Sequence, residues 1–113
     1  MRVRKFSPLN IPAQNVERAT RFYREVFDLP TTFGANESRQ LSFHDEDIFF
    51  DADNTERIIV EVVVRDHQES VENHLLNYYV KQAEPMTIDP DGRHVIFHLD
   101  DPEGNKIKVI ANK

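Results

Sequence analysis

Arg39-Gln-Leu-Ser-Phe-His44 and Arg93-His-Val-Ile-Phe-His98 write the same short phrase twice. Each copy follows a stretch with helical spacing, and each of those stretches follows an extended apolar segment. Two copies in 113 residues leave about 55 residues apiece, too few to bury an independent core. The halves must therefore complete each other, and a pocket is expected between them.

Working outward from the phrase gives one order of elements, strand, helix, then three strands, read twice. Val3 to Pro12 reads as the first strand, with Pro8 and Pro12 tolerated only at an edge or a strand end. Asn15 is placed to N-cap a helix whose stripe is Val16, Ala19, Phe22, Tyr23, Val26 and Phe27, ending at Leu29-Pro30. Thr31 to Gly34 is a short strand, Arg39 to His44 alternates as the next, Asp45-Glu46-Asp47 turns the chain, and Ile48 to Asp51 returns. Ala52 to Glu56 is a polar link. Arg57 to Arg65, rich in Ile and Val, opens the second half as a strand. Asp66 with Glu69 resembles a capping box for a helix carrying Val71, Leu75, Tyr78 and Tyr79. Glu84 to Ile88, Arg93 to Leu99 and Lys106 to Ala111 are the remaining strands, separated by the turn Asp89-Pro-Asp-Gly92 and the loop Asp100 to Asn105. The expected organisation is a single domain over residues 1–113, with one module over about 1–52, a link over about 52–56 and a second module over about 57–113.

Composition fits one compact domain in the cytoplasm. Hydrophobic residues make up 39% and charged residues 30%, and no apolar run approaches the roughly 18 residues a bilayer requires. The opening Met1-Arg-Val-Arg-Lys-Phe6 lacks the apolar stretch of a secretory signal, so the sequon Asn36-Glu-Ser38 is not expected to carry glycan. No cysteine is present, which excludes disulfides, thiolate metal sites and cysteine nucleophiles together. Twenty acidic against fourteen basic residues give a net charge of −6, which repels a phosphate backbone, and the basic cluster Arg2, Arg4, Lys5 reads as a solvated terminus. No nucleic-acid or membrane partner is expected. The three glycines stand alone in turns, so no phosphate loop is present, and no serine sits in a nucleophile elbow.

Asn10-Ile-Pro-Ala-Gln-Asn-Val-Glu-Arg-Ala-Thr-Arg-Phe-Tyr-Arg-Glu-Val-Phe-Asp-Leu29 resembles the opening strand and helix of the vicinal oxygen chelate superfamily, which includes glyoxalase I, bleomycin-resistance proteins and extradiol dioxygenases. Asp101-Pro-Glu-Gly-Asn105 is similar to its closing loop. The resemblance implies an α+β fold of two βαβββ modules in a pseudo-twofold arrangement, whose curved mixed sheet surrounds a cleft that often holds a divalent metal. It also implies metal ligands at particular places. The one in strand one falls on Pro8, the one opening the second half on Ile59, and the closing one, usually Glu, on Lys108. Proline and isoleucine offer no donor, and a protonated lysine repels a cation. A fourth ligand falls within Ile48 to Asp51, where Asp51 is the candidate.

Period-two alternation then names the cleft lining. It turns Asn10, Glu61, Lys108, His94 and His98 inward, and the first copy of the phrase presents Gln40, Ser42 and His44. Three readings stand open. The histidines are half-exposed strand residues, with Glu61 and Lys108 forming an ion pair; or the same groups orient a small-molecule ligand; or a relocated metal site uses Glu61 with one histidine from each half. Two imidazoles at i and i+4 on one strand lie about 13 Å apart and cannot share one ion.

The candidate ligand-binding residues are thus Asn10, His44, Asp51, Glu61, His94, His98 and Lys108, with no metal, no cofactor and no catalytic residue assigned. The function expected is a metal-free, glyoxalase/bleomycin-resistance-like small-molecule binding protein rather than an enzyme. The alternatives are a lyase, isomerase or dioxygenase with a relocated metal, and an interaction module without ligand. A homodimer is expected from the family and from the aromatic residues Phe49, Phe50, Tyr78 and Tyr79.

Overall fold

The structure is a computed structural model that describes residues 1–33 and 39–113. Gly34, the end of an expected strand, and the sequon at Asn36 lie outside the described residues. In chain order the elements are β1 (Val3–Ser7), β2 (Asn10–Pro12), α1 (Val16–Phe27), β3 (Thr31–Phe33), β4 (Arg39–Phe43), β5 (Glu46–Asp47), β6 (Phe49–Asp51), β7 (Ile59–His67), α2 (Gln68–Asn77), β8 (Gln82–Ile88), β9 (His94–Asp100) and β10 (Lys106–Asn112). The class is α+β, and no described helix is long and apolar enough to cross a membrane.

The β-branched run of β7 lies inside a five-stranded sheet of order β1-β7-β10-β9-β8. β7 and β10 are parallel and the other neighbours antiparallel. The run β7-α2-β8-β9-β10 is therefore one strand-helix-three-strand unit whose first and last strands meet. In the first half β2 pairs in parallel with β6, and β3-β4-β5 form an antiparallel set. Backbone bonds from Ile48 to Leu41 (2.9 Å) and from Phe49 to Leu9 (2.8 Å) link these pieces.

Alternation sorts the sheet into two faces. Val60, Val62 and Val64 of β7, Val95, Phe97 and Leu99 of β9, and Ile107, Val109 and Ala111 of β10 are all buried. They form one apolar cluster with Ala19, Tyr23, Val26 and Phe27 of α1 and with Val71 and Leu75 of α2. Burying each such side chain contributes about 1.5–3 kcal/mol, so the helix-covered face holds the fold. The opposite face is left to polar and half-buried residues.

Several expectations are corrected. The single first strand is two, because the chain breaks around Pro8 and changes partner: β1 pairs with β7 of the second half, β2 with β6 of the first. Proline has no N–H to continue a ladder. With this split and with β5, the chain has ten strands among the described residues where eight were expected. The turn expected over Asp45 to Asp47 is tighter. His44 and Asp45 make it, both with left-handed backbone (φ 49° and 63°), and Glu46 and Asp47 already pair back on β4 as β5. The capping box at Asp66 does not form, since β7 runs on to His67 and that residue caps α2 without a side-chain bond. The Asp66 carboxylate instead accepts the Arg2 N–H at 2.9 Å. Asn15 does cap α1, its side chain accepting from Arg18 N–H at 3.0 Å.

Candidate functional site

On the open face the strands place their polar residues in a row. Register partners share a face. Lys108 of β10 stands beside Glu61 of β7 on one side and His98 of β9 on the other. β1 adds Ser7 beside Glu61, and β8 adds Glu84 beside His98. The neighbouring row is apolar, with Val63, Ile110 and Ile96 in register. Three of the seven candidate residues, Glu61, His98 and Lys108, are thereby brought together on adjacent strands.

The geometry around them is specific. His98 Nε2 is 3.1 Å from the Thr87 hydroxyl, which fixes the ring from the β8 side. Lys106 is held by Asp100 at 2.6 Å. That hydrogen bond, then the charge of Asp100, raises the Lys106 ammonium above its ordinary range. Lys108 is half-buried, and among the described residues no salt bridge joins it to Glu61 or Asp51. A hollow of about 300 Å³ opens here, bordered by Ile59, Glu84, His98, Lys106 and Lys108.

The other candidates are placed elsewhere. Asn10 is exposed on β2, and Asp51 is half-buried at the end of β6, its carboxylate accepting the Asp53 N–H at 2.9 Å. The register left open in the sequence is thereby fixed: Asp51 opposes Pro12, Phe50 opposes Ile11 and is buried, and Phe49 opposes Asn10 and is exposed. His44 sits in the β4–β5 turn, its ring stacked on Phe43 with centroids 4.1 Å apart. His94 bonds to Asp91 at 2.5 Å in the turn before β9. Arg93 N–H first, then the His94 side chain, hold the Asp91 carboxyl below its ordinary range. Asp89, Asp91 and His94 are the one group of three metal-ligating side chains among the described residues, with ligand atoms within 4.8 Å of one another. No such group includes His44, Glu61 or His98.

Two further hollows, of about 630 and 500 Å³, flank the chain between α2 and β8. They share Tyr79 to Gln82, and none of the seven candidate residues borders them. A third, of about 650 Å³, lies against the start of α2 at His67, Gln68, Glu69, Glu72, Asn73 and Lys113. The smaller hollow on the sheet is the candidate because His98 and Lys108 border it beside exposed apolar Ile59.

In the loop Asp101 to Asn105 the polar residues Asp101, Glu103 and Asn105 are buried and structural. Asp101 accepts from the Tyr23 hydroxyl (2.7 Å), from the N–H groups of Glu103 and Asn105 (2.8 Å each) and from the Asn105 amide (2.8 Å). Asn105 also donates to the Pro12 carbonyl at 2.9 Å and accepts the Ile58 N–H at 3.1 Å. Glu103 accepts from Asn15 N–H at 2.7 Å and from Arg18 at 2.6 Å. Burial, then the Asp101 charge beside it, push the Tyr23 phenol far up.

No family model matches the chain, and no curated protein does. Solved structures do. A lactoylglutathione lyase from Agrobacterium tumefaciens superposes with a TM-score of 0.70 at 16% identity, covering 90% of this chain and 89% of that one. A glyoxalase/bleomycin resistance protein/dioxygenase from Nocardioides gives 0.64 at 11% identity (91% and 80% covered), and one from Alicyclobacillus acidocaldarius 0.63 at 15% (91% and 87%). These likenesses show the fold. It is a glyoxalase-type α+β fold.

Proposed function

We propose that this chain, carrying the glyoxalase-type fold, is a metal-free small-molecule binding protein whose site is the open sheet face at Glu61, His98 and Lys108. The observation that carries the reading is the register of Lys108 between Glu61 and His98 beside a row of apolar side chains. Polar groups that converge next to apolar wall are what a ligand pocket offers. The positions where the resemblance implies a metal support the same reading: Pro8 and Ile59 have no donor atom, and Lys108 brings a positive charge. We further take the two halves to be paired modules meeting near residues 52–56, with the site on the second.

A thermal-shift screen of small aromatic ligands, antibiotics and divalent metals tests this. A ligand that binds only the native state raises the midpoint. A small organic ligand should do so without metal, and the shift should vanish in Lys108→Met. Stoichiometric zinc, nickel, iron or manganese in protein purified without chelator would overturn the metal-free reading.

A second reading is favoured by one observation. Leu76, Tyr78, Tyr79 and Ile88 are exposed around α2 and the edge strand β8, which suits an interaction surface and the expected homodimer. Light scattering that reports a monomer at micromolar concentration would remove it.

A further inference from the structure

We infer that the hollow on the open face receives a small organic monoanion, its acid group set between Lys108 and His98 and its apolar body against Ile59. This deepens the binding reading above and rests on it. The charge of the lining is the first argument. The molecule carries a net −6, and the hollow is bordered by Lys106, which Asp100 holds, by Lys108 and by the carboxylate Glu84. Lys108, without a salt bridge among the described residues, is a local point of attraction for an anion on a surface that otherwise repels one.

Lys108 is the group left to meet it. Lys106 is engaged by Asp100 at 2.6 Å. Lys108 has no salt bridge among the described residues, although Glu61 stands beside it in register, and Glu61 does not border the hollow. A half-buried ammonium acts through a lower effective dielectric than a solvated one, so an anion placed there is held more strongly than at the surface. His98 adds a donor. Its Nε2 is engaged by the Thr87 hydroxyl at 3.1 Å; in the tautomer whose Nε2 accepts that bond, Nδ1–H donates to a ligand oxygen.

Size and the remaining carboxylate narrow the class. A volume of about 300 Å³ sits at the lower end of ligand pockets, so the ligand is small. Glu84, beside His98 in register, penalises a second negative charge and accepts from a ligand hydroxyl or amine. Ile59, 53% exposed, is the apolar wall. A carboxylate or phenolate on a compact apolar frame meets all three conditions; a dianionic phosphate does not.

The test compares probes of one shape and different charge. Benzoate and phenylacetate (anions), benzamide (neutral) and benzamidine (cation) are titrated into the full chain, read by the NMR shifts of the His98 ring and of the backbone amides of β9 and β10. Lys108→Met, Lys108→Arg and Lys81→Met are titrated beside the wild type, with unfolding midpoints to establish that each variant folds. The expected result is that the anions bind more tightly than benzamide and benzamidine, that Lys108→Met weakens the anions by about tenfold or more while leaving benzamide unchanged, and that Lys108→Arg and Lys81→Met retain them. Benzamide or benzamidine binding as tightly as benzoate, or anion binding indifferent to Lys108→Met, would overturn the anion assignment and leave the binding site standing. No shift at His98 with any of the four would remove both.

Discussion

The Asp101 carboxylate accepts four hydrogen bonds from three residues, and one of those donors, Tyr23, lies 78 residues away on α1. A bond to a charged acceptor is worth about 1.5–3 kcal/mol, and more is lost when a buried group is left unpaired. Tyr23→Phe is thus expected to lower stability by about 1.5–3 kcal/mol in denaturant unfolding; a loss below about 0.5 kcal/mol would mean that the loop does not clamp α1. Glu103 belongs to the same clamp. Burial pushes its carboxyl up, but the Asn15 N–H, the Arg18 hydrogen bond and the Arg18 charge together bring it below the ordinary value of 4.5. With the folded-state value depressed, the stability Glu103 contributes is fully present above pH 4.5 and is lost as pH falls through the folded value. Glu103→Gln should flatten that part of the acid-unfolding curve, and an unchanged curve would contradict the assignment. At this scale the sequence was legible as a motif but not as a mechanism. Asp101-Pro-Glu-Gly-Asn105 was recognisable as a resemblance, whereas its partners Tyr23, Pro12 and Arg18 become neighbours only through the fold.

At the scale of elements, period-two alternation carried furthest. Burial of Val95, Phe97 and Leu99, and of Val60 and Val62, follows it residue by residue. What stayed hidden was competition between partners. Asp66 could cap a helix, but the N–H of Arg2, 64 residues away just before β1, takes its carboxylate. Strand one looked continuous because its apolar pattern runs through Pro8; the partner exchange there depends on a sheet edge that no local pattern encodes. The end of α2 supplies a test. Val80 N–H bonds to the Leu75 carbonyl at 2.9 Å and Tyr79 N–H to the Leu76 carbonyl at 3.1 Å, a helix stop that places its next residue in left-handed conformation, where glycine is usual. Tyr79 occupies it at φ 57° with 93% of its surface exposed. Left-handed backbone costs a residue with Cβ about 1–2 kcal/mol, and little packing is lost on truncation. Tyr79→Gly should raise the unfolding free energy by about 0.5–1 kcal/mol. A destabilised variant would mean that the ring packs against something, and would favour the interaction-surface reading.

Over the whole molecule, the helices cover one face of the sheet and leave the other to a row of polar side chains that no single strand reveals. Alternation named Glu61, Lys108 and His98 as sharing a face; the order β7-β10-β9 makes them neighbours, and pairing with β8 adds Glu84 and Thr87, which sequence reasoning missed because β8's register shifts twice. His44 and His94 were named by the same repeat, yet His44 lies in a turn, where alternation no longer applies, and His94 opens β9 beside Asn112, four residues from His98 and engaged by Asp91. The ion pair offered between Lys108 and Glu61 is not formed among the described residues, and without it Lys108→Met removes no buried partner. Its loss of stability should stay within about 0.5 kcal/mol, as for Lys81→Met, and the deficit should appear in ligand binding instead. A loss above about 1 kcal/mol would restore the buried pair.

The account stands on the open sheet face being where a small molecule binds. Mapping backbone amide shifts across the whole chain, on adding a ligand found by thermal shift, tests that most directly. The expected result is a contiguous footprint over Ile59 to Val63, Ile96 to Leu99 and Lys106 to Ile110. A footprint confined to Tyr78 to Gln82 or to Asp89 to His94, with those strands unmoved, would contradict it.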